Sequence, residues 1–282
     1  MSPHPHGLLD MSRSFLPEAL AGIAPLRLLD AEERRHLNQI RACSYLRLFD
    51  VFERVLVTVA RERARLDLET RDVLGPILRL DCFDHHELFV SFESELALAF
   101  PVRPRFIEEP PDYQQTLTHA TPLSLLVLAL HLKLVTQQHY LACLRGDEAL
   151  EPHFVRLLRD HWTMECGAKR TSSSALAIQE ALAKAPRGRV PSALRDYRLL
   201  VFACDDVLRR QAELDVDTFA RVRSKPLAAS DRTAVVASQI AAHRKTFLTV
   251  GIANVAFVYA MRNLGPTAPA MLAGIVSALS AR

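Results

Sequence analysis

A chain of 282 residues with only nine glycines carries little of the punctuation that hairpins and tight turns need. Its apolar residues recur instead at the three- and four-residue spacing of helix faces, and alternating β-branched runs are few. The chain is therefore expected to be all-α. A first long helix is predicted from about Asp30, an N-cap with Glu33 three residues on, to about Arg63. A second runs from about Glu69 to Leu98, with Gly75-Pro76 as a kink or a delayed start. A third opens at Thr121, with Pro122 in its first turn, and ends near the segment "RGDEAL". A fourth runs from about Glu151 to Ala185. The four-proline stretch "FPVRPRFIEEPPDYQQ" is the clearest loop. It makes the middle connection the long one, as in a four-helix bundle with one crossover. Residues 191–282 read as three or four further helices, broken near "RSKPLAASD" and "NLGPTAP". The expected organisation is an N-terminal arm (1–29), a four-helix core (30–186) and a C-terminal helical extension packed on it (187–282).

Charge narrows the partners. A formal net charge of +3 with no basic block argues against nucleic acid, whose binding relies on concentrated positive charge. The start, "MSPHPHGLLDMSRS", lacks the layout of a secretory signal, and His4 and His6 fit a mobile arm better than a metal site. The late run "TFLTVGIANVAFVYAM" has about 16 residues, short of the roughly 20 that span a bilayer, so a buried helix is preferred. Five cysteines in no CxxC spacing point to reduced thiols and a cytoplasmic setting.

Several polar residues fall on apolar lines. Glu53 shares a helical stripe with Leu46, Phe49, Leu56 and Val57. A carboxylate there needs a metal, a proton or a cationic partner, with Arg41 and Arg47 as candidates. In "RLDCFDHHELF", His85 lines up with Leu78, Leu88, Phe89 and Phe92, and Asp81 and Cys82 sit one turn before it. A side chain at i and a histidine at i+3 or i+4 converge as a pair of metal ligands must. His86, one position round, is second to it. The fourth helix aligns His161 and Glu165 with Phe154, Leu157 and Leu158, beside Trp162, which reads as core packing. The third offers His131, Gln138, His139 and Tyr140, and no acid between Thr121 and Arg145.

Glutamate on a first helix, histidine pairs on later helices, and the segments "LNQIRACSYLRLF", "DHHELF", "TQQHYL", "HWTMECGAK" and "QAELDVDTF" together resemble a bacterial group within the ferritin-like di-iron proteins. The likeness runs from about residue 36 to 260. It implies a ferritin-like four-helix bundle and carries Glu53, His85 and Glu165 over as metal-ligand positions. It also shows departures: Cys82 stands where that group has the glutamate of Glu-x-x-His, and Ala168 where it has histidine. About six ligands hold an iron pair in that layout, so the resemblance implies a reduced site, with Asp81, Cys82 and His161 available to complete it.

The function expected on these grounds is oxidation of a small organic substrate by a modified non-haem iron site, with His161, His139, Tyr140 and Tyr45 supplying protons or orienting substrate. A homodimer follows by analogy with the family. Two metal-free readings stand beside it: acid–base catalysis by the same buried groups, and a non-catalytic ferritin-like subunit or binding protein.

Overall fold

The computed structural model describes residues 9–80, 82–166 and 174–282, with the backbone alone at 82–84. Among the described residues there are helices and no strands, so the chain is all-α. In chain order the helices are α1 (Glu18–Ala21), α2 (Ala31–Leu66), α3 (Leu68–Leu78), α4 (Cys82–Ala99), α5 (Pro111–His119) and α6 (Pro122–His139). They continue with α7 (Pro152–Cys166), α8 (Ser174–Ala183), α9 (Val190–Val222), α10 (Ala229–Arg244), α11 (Val250–Ala253), α12 (Val255–Leu264) and α13 (Ala268–Ala281). A π-helical turn, Tyr140–Leu144, extends α6, and another, Lys245–Thr249, joins α10 to α11.

The first helix starts where its cap signals say. Asp30 Oδ1 accepts from the Glu33 amide at 2.9 Å and Glu33 Oε2 accepts from the Asp30 amide at 3.0 Å. Reciprocal caps of this kind hold a helix start by about 1 kcal/mol. From Leu37 to Ala60 α2 is buried on nearly every side, which makes it the central helix. It packs on α4 and α6, and α7 packs on the same two, so α2, α4, α6 and α7 enclose one core. Helix α9 covers α2 and α6, and α10 lies on α9.

Three expected elements differ in outline. The second long helix is two, α3 and α4, and the break falls after Leu78, not at Gly75-Pro76. Pro76 lies inside α3 and Leu80 turns into the core at the break. The fourth is likewise described as α7 and α8, with 167–173 outside the described residues. The four-proline stretch is a loop only to residue 110. Pro111 then starts α5, a helix position where its missing N–H costs nothing.

The segment assigned as an arm packs into the core from Leu9 onward. Phe15 is fully buried against Phe154, 5.7 Å between ring centres, and Phe92, at 5.9 Å. Asn38 of α2 accepts from the Phe15 and Leu16 amides at 2.8 and 3.0 Å. Burying one such phenyl ring contributes roughly 1.5–3 kcal/mol. His4 and His6 lie outside the described residues. The late apolar run is broken at Asn254, whose side chain caps α12 through the Ala256 and Phe257 amides. The chain bends there by 55°, and among the described residues no single helix is long and apolar enough to cross a membrane. Cys43, Cys143, Cys166 and Cys204 are free thiols.

Candidate functional site

The four enclosing helices each send one or two ionisable side chains to the same interior point. Glu53 comes from α2, His85 from α4, Lys133 from α6, and His161 and Glu165 from α7; all five are buried. The Lys133 ammonium donates to Glu53 Oε1 at 2.9 Å and, very closely, to Glu165 Oε1. His85 donates from Nδ1 to Glu53 Oε2 at 3.3 Å, and its Nε2 lies 3.4 Å from Glu165 Oε1. The His161 ring stands edge-on to His85, 4.5 Å between centres at 87°, with Nε2 3.9 Å from Glu165 Oε1.

Burial pushes the Glu165 carboxyl up, and the neighbouring Glu53 charge adds to this against the pull of Lys133. For Glu53, burial also pushes upward. The Lys133 ammonium and the His85 hydrogen bond outweigh it and hold that carboxyl well below the usual range. His161 is kept neutral by burial, reinforced by His85. An ammonium bonded to both carboxylates offsets charge that a water-poor interior would otherwise leave uncompensated.

Of the residues expected at a site, Glu53, His85, His161 and Glu165 are brought together. Asp81 and the Cys82 side chain lie outside the described residues, as does Ala168. Tyr45 and His139 are elsewhere: the Tyr45 hydroxyl meets His139 Nδ1 at 2.9 Å, and Phe49 separates this pair from the His161 ring. Burial lowers His139 to about 3 and raises the Tyr45 phenol. Tyr140 lies against Trp162, 5.1 Å between ring centres and tilted by 30°, so the indole packs as expected. His86 is half-exposed and meets Asp50 Oδ1 at 2.9 Å. Neither arginine considered for Glu53 reaches it. Arg47 pairs with Glu93 and Asp50, and the fully buried Arg41 donates to the Leu20 carbonyl and the Thr246 hydroxyl, both at 3.4 Å, within the field of Asp215.

Arg41 belongs to a second buried polar cluster. Asp215 of α9 accepts from Ser44 at 2.8 Å, Gln211 at 2.8 Å and His243 Nε2 at 3.1 Å. Gln211 also accepts from the Ile107 amide and donates to the Arg105 carbonyl, both at 3.0 Å, and so pins the crossover against α9. Burial brings Arg41 down to about 9 against the upward pull of Asp215.

Lys133 is the residue that sequence reasoning missed. It is the one Asp, Glu, Lys or Arg in the stretch 122–144. Helix α6 is buried along almost its whole length, so no polar face was open to a lysine. A buried lysine requires carboxylates, and Glu53 and Glu165 were two interior carboxylates in want of a cation.

His85, His161 and Glu165 offer ligand atoms within 4.8 Å of one another. A divalent ion bonded at about 2.1 Å to either Glu165 oxygen would lie within roughly 7 Å of the ammonium that Oε1 holds. Repulsion at that distance is of order 5 kcal/mol at an effective dielectric of about 20. An iron pair fits worse, since both carboxylates already serve the lysine and about six ligands are needed. The residues as arranged do not fit the metal that the sequence resemblance implies. No family model, curated protein or solved structure matches this chain.

Proposed function

We propose that the chain is a ferritin-like helical protein in which Lys133 takes the place of the metal, and that it serves as a non-catalytic binding subunit rather than as an iron oxidase. One observation carries this reading: the ammonium lies between Glu53 and Glu165 and bonds to both, where a ferritin-like centre would hold its cation. The four enclosing helices and the long connection between α4 and α6 are what support the ferritin-like part.

A second reading, acid–base catalysis without metal, draws on a separate observation. Glu165 Oε2 and His161 Nε2 are buried with no hydrogen-bond partner among the described residues. Unpaired buried atoms on ionisable side chains are what a proton-transfer site leaves open for substrate.

Metal titration tests the first reading. Protein purified without chelator should carry well under one metal per chain, and calorimetry with Fe²⁺ or Zn²⁺ should show no site. Lys133→Glu exchanges the competing cation for another carboxylate and should create one. About one tightly held metal per wild-type chain, lost in Glu165→Ala, would sink the proposal.

A further inference from the structure

A cavity of about 630 Å³ lies between α4, the crossover segment 103–108 and the parts of α2 and α9 beneath them. Its size is that of a small-molecule site. None of Glu53, His85, Lys133, His161 or Glu165 lines it, so it stands independently of the reading above.

The crossover wall is fixed through its main chain. Gln211 holds the Ile107 amide and the Arg105 carbonyl, the Thr218 hydroxyl accepts from the Arg105 amide at 3.2 Å, and Arg221 donates to the Arg103 carbonyl at 3.0 Å. Pro104 is buried, and Arg103 and Arg105 on either side of it are exposed and line the cavity. Among the described residues neither guanidinium makes a hydrogen bond or an ion pair, so two cations stand ready on a wall that is already in place.

The opposite sign is present as well. Glu93 of α4 pairs with Arg47 at 3.0 Å through Oε2, while its Oε1 is buried with no hydrogen-bond partner among the described residues. Burial raises this carboxyl against the pull of Arg47, and Arg103 stands close enough to pull on it too. Glu108 is exposed at the rim. The charge of Arg47 is taken up by Glu93 and Asp50, and its guanidinium lies over the Phe106 ring, 5.5 Å from the centre. Leu96, Phe106 and Leu214 supply an apolar floor.

This lining selects neither an anion nor a cation, because two open arginines face an acceptor short of donors and a second carboxylate. A ligand that carries both charges close together answers each. We propose that the cavity binds a free α-amino acid with an apolar side chain, its carboxylate at Arg103 and Arg105, its ammonium at Glu93 Oε1 and its side chain on Leu96, Phe106 and Leu214. Removing either ligand charge leaves protein groups of one sign unanswered, which is how such a site rejects an amide or an acylated amine.

Calorimetry on the full chain at pH 7 with L-phenylalanine, its amide, its N-acetyl derivative and glycine tests this. L-phenylalanine should bind one per chain, about tenfold or more tightly than each of the other three. Arg103→Glu combined with Arg105→Glu should remove the preference over the amide, and Lys225→Glu, an exposed residue outside the lining, should leave it intact. Ala97→Trp fills the cavity and should abolish binding, with circular dichroism verifying that the variant folds. Failure of L-phenylalanine to bind, equal binding of the amide or the N-acetyl derivative, or unchanged binding by the double arginine variant would each overturn the proposal.

Discussion

Replacing Lys133 by methionine keeps an unbranched side chain, one atom shorter, and removes its charge, which makes it the sharpest probe of the interior cluster. Lys133 is 2% exposed, Glu53 4% and Glu165 2%, so solvent cannot take over the role of the ammonium. Removing one partner of a buried, hydrogen-bonded pair costs about 3–5 kcal/mol, because the remaining charge is left without compensation. For a chain of this length that is a fall of roughly 5–8 °C in Tm. The loss should depend on pH in a defined direction. In the wild type the Glu53 carboxyl is held below its ordinary value. Its contribution is therefore present above the unfolded value of about 4.3 and is lost as pH falls through the folded one. Without Lys133, burial acts on Glu53 unopposed by the ammonium, the carboxyl moves up, and the folded variant gains by taking a proton. The difference between wild type and variant should then be largest near pH 8 and shrink towards pH 5. Guanidinium unfolding followed by far-UV circular dichroism reads this directly. Adding Glu165→Gln to Lys133→Met removes the second buried carboxylate and leaves Glu53 its contact with His85, and should recover part of the loss. A cost under about 1 kcal/mol at both pH values, the scale of a solvated surface pair, would refute the internal-cation argument.

Acid should unfold the protein steeply. Burial lowers His131 to about 4, His139 to about 3 and His243 to about 4. The unfolded chain takes up these protons near pH 6.5 and the folded one does not, so stability falls as pH drops below that value, by roughly 4 kcal/mol per pH unit near pH 5. Glu165, whose carboxyl is raised, offsets at most one proton of this. Urea titrations between about pH 7 and pH 5 giving a slope under about 1.4 kcal/mol per unit, the value for a single proton, would contradict it. Gly251→Ala should destabilise by about 3–5 kcal/mol. Its Cβ would fall 2.1 Å from His131 Nε2 and 2.5 Å from Val135, and His131 is fixed between the Tyr197 hydroxyl at 2.6 Å and the Phe247 carbonyl at 2.9 Å. Gly274→Ala in α13, where an added Cβ meets nothing within 4 Å, is the control and should be neutral or slightly stabilising in a thermal melt.

How far the sequence discloses this arrangement depends on contrast along each helix. Helix α7 alternates exposed and buried residues, so His161 and Glu165 stand out on the line of Phe154, Leu157 and Leu158. Glu53 and His85 are legible for the same reason. On α6 that contrast is absent: a helix apolar on all sides has no stripe against which a polar residue can be judged misplaced. Lys133 is legible only by pairing it with carboxylates on other helices, and Arg41 with Asp215 poses the same problem across more than 170 residues. Breaks are hidden for a different reason. Nothing at 79 and 80 is a poor helix former, and the chain turns there because Leu80 enters the core. Pro76, the visible breaker, stays inside α3. A local signal locates the cap at Asp30, whereas the break at Asn254 falls inside a run that reads as one buried helix, and tertiary packing decides where α3 gives way to α4.

The same lack of contrast explains why α2 carries so many buried polar groups. A helix buried on nearly every side is held in no particular rotation by its apolar residues, since turning it exposes none of them. Directional contacts can do so. Asn38 is tied to the segment before α1, Ser44 to α9 through Asp215, Tyr45 to α6 through His139, and Asp50 to α4 through His86. Glu53 adds ties to α4 and α6 through His85 and Lys133. Between them these residues tie α2 to four neighbours, the segment before α1, α4, α6 and α9. A slip of one residue along α2 would turn it by about 100° and leave all of these groups buried and unpaired, each at a cost of about 1–3 kcal/mol or more if charged. Apolar burial thus supplies the driving force for assembly, and the polar contacts select one register from several of similar apolar burial. On this account the Lys133 cluster has a structural role at the centre of the bundle whether or not any chemistry takes place there.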